Sequence, residues 1–228
     1  HVVQPDVDPT TRRFYVYRDM DDVTVLPFCP YAWMFGNAQR KREVAPDLVT
    51  QLMNVNMFST DKPRDSTGTC IMWQVVWDAS SGDKPIRTLW QGLGFVSAPD
   101  APPWWPKQGS ADKRATYYDL RGFTRFVFWA RSPHPGTRVK ASVGFLSRDA
   151  DRQRLAEYGD SVEWPLESSW LALEPEWRQY EVNLTRLPGS GGLPDLSRIC
   201  SFAFIAERMQ QTDRNAPLQV FLDDLYFE

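Results

Sequence analysis

At 228 residues and a formal net charge of −3, the chain is long enough to bury a sizeable core and lacks the basic footprint of a nucleic-acid binder. Its ten Trp and 18 Pro suit strands and loops better than helices. No apolar run reaches the length of a membrane span and none has signal-peptide form. The chain begins at His1 rather than Met; we read this as a processed terminus and expect an exported protein, periplasmic or extracellular. The three cysteines, Cys29, Cys70 and Cys200, have no C-x-x-C spacing, which argues against structural zinc. Cys70 and Cys200 sit in apolar, strand-like runs and read as buried thiols. Cys29–Cys70 is the candidate for the one internal disulfide that three cysteines allow.

Taken in order, residues 1–13 form an extended arm with no hydrophobic period, and 14–228 form one β-sandwich domain. Residues 14–17 are a short strand, followed by the acidic cluster Asp19, Asp21 and Asp22. Residues 27–66 read as irregular, with one helical turn near Pro46–Met53. Residues 70–77 form a strand with Ile71, Trp73, Val75 and Trp77 on one face. Residues 88–96 form another, and Gly92 and Gly94 within it point to a bulge or to close approach by another group. A Pro-rich loop follows, carrying Trp104 and Trp105.

The clearest stretch is 118–146, read as strands at 123–131 and 138–146 joined by a turn. Phe126, Phe128 and Ala130 alternate with Arg125, Val127, Trp129 and Arg131. After the turn formers Ser132-Pro-His-Pro-Gly136, residues Val139, Ala141, Val143 and Phe145 alternate with Lys140, Ser142 and Gly144. Period-two alternation marks half-buried strands, and an amphipathic hairpin must bury one face against a second layer. Residues 148–169 are a long polar insertion. Strands follow at 178–184, 199–206 and 218–227. In the last, the apolar phase shifts at Asp223-Asp224, which predicts a β-bulge. The expected core is Phe126, Phe128, Val139, Val143, Tyr180, Val182, Phe202, Phe204, Val220 and Leu222. The fold class is all-β.

The segments DLRGFTRFVFWAR, LEPEWRQYEVNL, DLSRICSFAFI and VFLDDLYFE, in that order, resemble the galactose-binding-like jelly rolls, the fold of many carbohydrate-binding modules. The opening YVYRDMDDVTVLPFCPYAWMFGN is similar to the start of secreted bacterial proteins of this kind. The resemblance covers about residues 14–36 and 88–228, and its motifs speak to fold rather than function. It implies a jelly-roll β-sandwich with long loops and a non-catalytic sugar-binding role. It also implies that the first and last strands are near neighbours, where related jelly rolls often hold a structural calcium.

Sugar sites offer aromatic rings to the apolar face of a pyranose. The expected ligand residues are therefore the aromatics in or beside loops: Trp90, Trp104, Trp105, Tyr158 and Trp164. Asp19, Asp21, Asp22, Asp223 and Asp224 supply the hard oxygens that calcium requires. No catalytic motif is strong, and an oxidative or hydrolytic polysaccharide enzyme stays open as a lesser reading. His1 and His134 are the only histidines, no G-x-S-x-G elbow exists, and Glu174 and Glu176 flank a turn proline. The expected partner is a polysaccharide or glycan. The alternative is a set of neighbouring subunits in an envelope or membrane-associated complex, with the arm and the long loops as docking elements.

Overall fold

A computed structural model describes residues 2–19, 27–36, 42–43, 52–61, 64, 68–81, 84–96, 117–146, 162–185 and 196–228. In chain order its strands are β1 (Val2–Val3), β2 (Phe14–Tyr17), β3 (Cys29–Gly36), β4 (Arg42–Glu43), β5 (Met53–Ser59), β6 (Cys70–Val75), β7 (Asp78–Ser81) and β8 (Lys84–Val96). They continue with β9 (Tyr117–Tyr118), β10 (Arg125–Arg131), β11 (Arg138–Leu146), β12 (Val162–Glu167), β13 (Leu171–Ala172), β14 (Arg178–Asn183), β15 (Ile199–Glu207) and β16 (Leu218–Phe227). Two short 3₁₀ turns, Leu196–Arg198 and Arg208–Gln210, flank β15. The protein is all-β, and no helix among the described residues is long and apolar enough to cross a membrane.

The strands form two sheets. The six-stranded sheet runs β14-β10-β16-β6-β5, with β2 joining β16 beyond the end of β6. The ten-stranded sheet is built on β15, which pairs with β11 on one side and β8 on the other; β8 continues to β3 and then β4. All of these main-sheet pairings are antiparallel. The parallel contact is β1 against β9, so the start of the N-terminal arm is strand-paired.

Alternation decides which side chains meet between the sheets. Phe126 and Phe128 of β10 face Phe202 and Phe204 of β15, with ring centroids 4.9 Å apart for both Phe126–Phe202 and Phe128–Phe204. Phe95 of β8 stacks on Phe202 at 4.6 Å. Phe14, Phe28, Tyr118, Phe123 and Phe227 extend this aromatic core toward one end. Of the ten expected core residues, all are buried except Tyr180. Tyr180 is half-buried because its ring stacks on Phe128 while its hydroxyl donates to the Ala172 carbonyl, 3.0 Å away. Ile71, Trp73, Val75 and Trp77 are all buried, as their spacing predicts. The turn at 132–136 closes with Gly136 at φ +80°, a conformation glycine adopts freely.

Four expectations are corrected. Residues 27–66 hold β3, β4 and β5 rather than irregular chain; the helical turn near 46–53 falls mostly outside the described residues. The 148–169 insertion ends in β12, which pairs with β11; residues 147–161 lie outside the described set. Of the two readings of Gly92 and Gly94 the bulge is excluded: the ladder runs through them in register, opposite Ile205 and Ala203 on one side and Trp33 and Tyr31 on the other. Cys70 and Cys200 are both free and buried, so the Cys29–Cys70 disulfide is not formed; β3 and β6, which carry the two cysteines, belong to different sheets. Burial pushes the Cys70 and Cys200 thiols each up to about 12, leaving them protonated at neutral pH.

Phe204→Ala removes a ring that contacts Phe128, Phe126 and Phe95. The substitution is expected to lower stability by about 3–5 kcal/mol, read as a lower urea midpoint with unchanged slope.

Candidate functional site

The six-stranded sheet turns one face to the core and the other outward. On β10 the outward residues are Arg125, Val127, Trp129 and Arg131. Register then fixes their neighbours on β16: Val127 lies opposite Tyr226, Trp129 opposite Asp223 and Arg131 opposite Phe221. One row further, Phe221 lies opposite Met72 of β6, and Gln219 opposite Gln74. Tyr15 of β2 lies opposite Tyr226, and its ring is 5.3 Å from it.

At the middle of this face β16 changes partners. Leu218–Leu222 pair with β6, and Leu225–Phe227 pair with β2. The change falls where the ladder with β10 shifts register between Val127 and Trp129. Asp224 is the extra residue, with a positive φ of 44°, so the bulge predicted at Asp223-Asp224 is present. A bulge re-aims side chains and ends regular pairing; here it places two consecutive carboxylates at the gap between β2 and β6. Asp19, just past β2, closes that gap. Its Oδ1 accepts the Thr69 N–H at 3.1 Å. Gly68 makes this possible, because a Cβ there would fall on the Asp19 carboxylate.

Charges are placed unequally. Asp223 is 3% exposed. Burial, with Asp224 and Asp19 adding repulsion, pushes its carboxyl up to about 7, although Oδ1 accepts the Asp224 N–H at 2.7 Å. The Asp224 carboxylate is ion-paired with Arg64. Among the described residues no three ligating side chains converge as a metal set.

The same face carries an aromatic floor under arginines. Arg64 lies over the Trp129 ring at 5.0 Å, Arg131 over Phe221 at 5.9 Å, Arg13 over Tyr226 at 4.2 Å and Arg18 over Tyr15 at 4.8 Å. Val127, Phe221 and Tyr226 are buried although they face outward, while Trp129 is half-buried. Arginine stems cover apolar surface and leave the guanidinium at the solvent boundary.

The structure brings Asp19, Asp223 and Asp224 together; Asp21 and Asp22 lie outside the described residues. Trp104, Trp105 and Tyr158 lie outside the described residues. Trp90 is half-buried on β8 opposite Glu207, and Trp164 is in β12; both strands belong to the ten-stranded sheet. Sequence reasoning missed Trp129, Phe221, Arg64 and Arg131 as site residues. The available signal was the outward phase of β10, where a Trp sits between two arginines.

Gly68→Ala is expected to displace Asp19 and leave the Thr69 N–H without its acceptor. Stability should fall by about 1–2 kcal/mol in urea unfolding. Gly122→Ala, where a Cβ meets nothing within 4 Å, is the control and should leave the midpoint in place.

No protein-family model matches the sequence, and no curated protein matches it. Solved structures do. A family 30 carbohydrate-binding module of the Clostridium thermocellum cellulosomal cellulase Cel9D-Cel44B is 10% identical, covers 95% of this chain and 96% of its own, and superposes with a TM-score of 0.51. A second family 30 carbohydrate-binding module is 11% identical over 94% of this chain and 96% of its own, with a TM-score of 0.53. At such identity the likeness speaks to architecture alone: this chain has the jelly-roll β-sandwich fold that carbohydrate-binding modules share.

Proposed function

We propose that this protein is an exported, non-catalytic carbohydrate-binding module whose ligand lies on the outer face of the six-stranded sheet. One observation carries the reading: Trp129, Phe221 and Tyr226 share that face with Arg64, Arg131, Asp223 and Asp224, so rings, donors and acceptors stand side by side. A pyranose needs both kinds of contact, an apolar platform and hydrogen-bonding groups at its rim. The roof consists of long, flexible side chains. A sugar reaches Trp129 by moving Arg64 aside, and the guanidinium then reads hydroxyls next to the ring. The fold shared with family 30 modules supports this reading, while the face itself is argued from this chain's own residues. The loop aromatics Trp104 and Trp105, with Trp90, Tyr158 and Trp164, belong to the proposal as a second platform.

Electrophoresis through gels containing soluble polysaccharides separates the two platforms. Trp129→Ala should weaken retention about tenfold or more with little change in melting temperature. Trp105→Ala should weaken it only where the loop contributes. Wild-type retention by both variants removes aromatic stacking from the account. A wild-type protein that is retained on no polysaccharide but co-purifies with envelope subunits overturns the carbohydrate reading.

A structural calcium at Asp19, Asp21, Asp22, Asp223 and Asp224 is a second part of the proposal. The three described carboxylates do not make a calcium set alone, since Arg64 takes Asp224 and Thr69 binds Asp19; the ion needs Asp21, Asp22 and backbone carbonyls. Calcium added to protein shown by elemental analysis to be metal-free should raise the melting temperature by mass action. An unchanged melting temperature leaves Arg64 as the counter-charge and removes the ion.

A further inference from the structure

Resting on the carbohydrate reading of this face, the chemistry of Arg131 narrows the ligand. Four arginines stand over aromatic rings here, Arg13, Arg18, Arg64 and Arg131, and they are not equivalent; Arg18 is exposed, so water solvates its charge. Arg64 pairs with Asp224. Arg13 pairs with Glu228 at 3.0 Å. Arg125, at the rim, is held by Glu181 at 2.8 Å and by Glu228 at 2.5 Å. Arg131 is different. It reaches from β10 across β16, over Phe221 and close enough to Cys70 of β6 for its charge to act there. Its Nε is buried with no hydrogen-bond partner, a feature the Arg64 Nε shares; unlike Arg64, it has no carboxylate among the described residues paired with it.

A half-buried guanidinium without a counter-ion is costly. Desolvation penalises the charge, and each buried N–H left unmade adds to the penalty. A ring beneath it returns only part of this. The rest is recovered when an oxygen anion meets the fork of the guanidinium. A planar carboxylate does this best, because its two oxygens match two parallel N–H donors. Phe221 is buried beneath the guanidinium; half-buried Trp129 one row away, with Gln219 and Gln74 one row the other way, provides the apolar and amide contacts that a sugar ring bearing that carboxylate requires.

We propose that Arg131 is the ligand-reading cation of this face and that the glycan bound is acidic, a polyuronate whose carboxylate meets the Arg131 guanidinium over Phe221. The Arg64 and Arg13 guanidinium groups, already neutralised by protein carboxylates, do not compete for it.

The test uses the full chain and gels containing polygalacturonate, compared with the same polymer after its carboxylates have been reduced to alcohols. Retention is expected on the polyuronate, with a loss of about tenfold or more on the reduced polymer, and a decline as salt rises. Arg131→Gln should lose the preference for the acidic polymer. Arg131→Lys should keep part of it, since charge survives but the fork does not. Melting curves of both variants establish that they fold. Equal retention on both polymers, wild-type retention by Arg131→Gln, or retention on dextran sulfate without retention on polyuronate each overturn the acidic-glycan inference and leave the carbohydrate reading standing. Failure of the wild type on these polymers and on neutral glucans alike overturns both.

Discussion

Everything else in this molecule is positioned by the contact between two phenylalanine pairs, Phe126 and Phe128 from one sheet and Phe202 and Phe204 from the other. Side chains of a strand alternate strictly, so fixing those four inward fixes Val127, Trp129 and Arg131 outward. A slip of one residue in β10 would send the arginines into the core and the phenylalanines into water. The register of β10 against β14 and β16 is thus enforced by burial, and the composition of the outer face follows as a consequence.

The bulge in β16 departs from that regularity, and it is where the chemistry gathers. Along one edge β16 keeps a single partner, β10. Along the other it must serve two, β6 and then β2. The extra residue Asp224 absorbs the mismatch in a left-handed conformation. Regular pairing would point Asp223 and Asp224 to opposite faces; the bulge keeps Asp224 within reach of Arg64 on the same face as Asp223. Asp19 and Gly68 then line the gap that the change of partners leaves.

Strands with one dry and one wet face are legible in the sequence, since alternation records the difference directly. That is why the limits expected for β10, β11, β14 and β16 lie close to the observed ones. β3 is not legible in this way. It lies between β8 and β4, and its sequence CPYAWMFG is apolar in both phases, so it carries no period-two signal. β5 reads MNVNMFS; asparagines depress strand propensity even though its alternation is real. β12 contains a proline and follows a polar stretch. For the site, the phase shift at Asp223-Asp224 discloses the bulge, and the order of first and last strands discloses that Asp19 lies beside it. Trp129 stays hidden for a different reason. Sugar platforms are sought on loops, whereas Trp129 and Arg131 are strand residues, two positions apart on β10. Only the register of β10 against β16 shows that they share a face with Phe221 and Tyr226.

The outer face is also not what stability or solubility would select. A wet sheet face is served well by threonine, lysine and glutamate. This one holds Trp129, Phe221, Tyr226 and Tyr15, and beside them a carboxyl at Asp223 whose burial raises its protonation equilibrium toward neutrality. Each aromatic must be shielded by an arginine stem, and each shielding arginine then needs a counter-charge or water. Arg13 and Arg64 have one on the protein. Arg18, over Tyr15, is exposed and solvated by water, whereas Arg131 has a buried Nε and no carboxylate paired with it among the described residues. Local rules are broken where function compensates for them, and the rule broken at Arg131 is that a desolvated cation is paired.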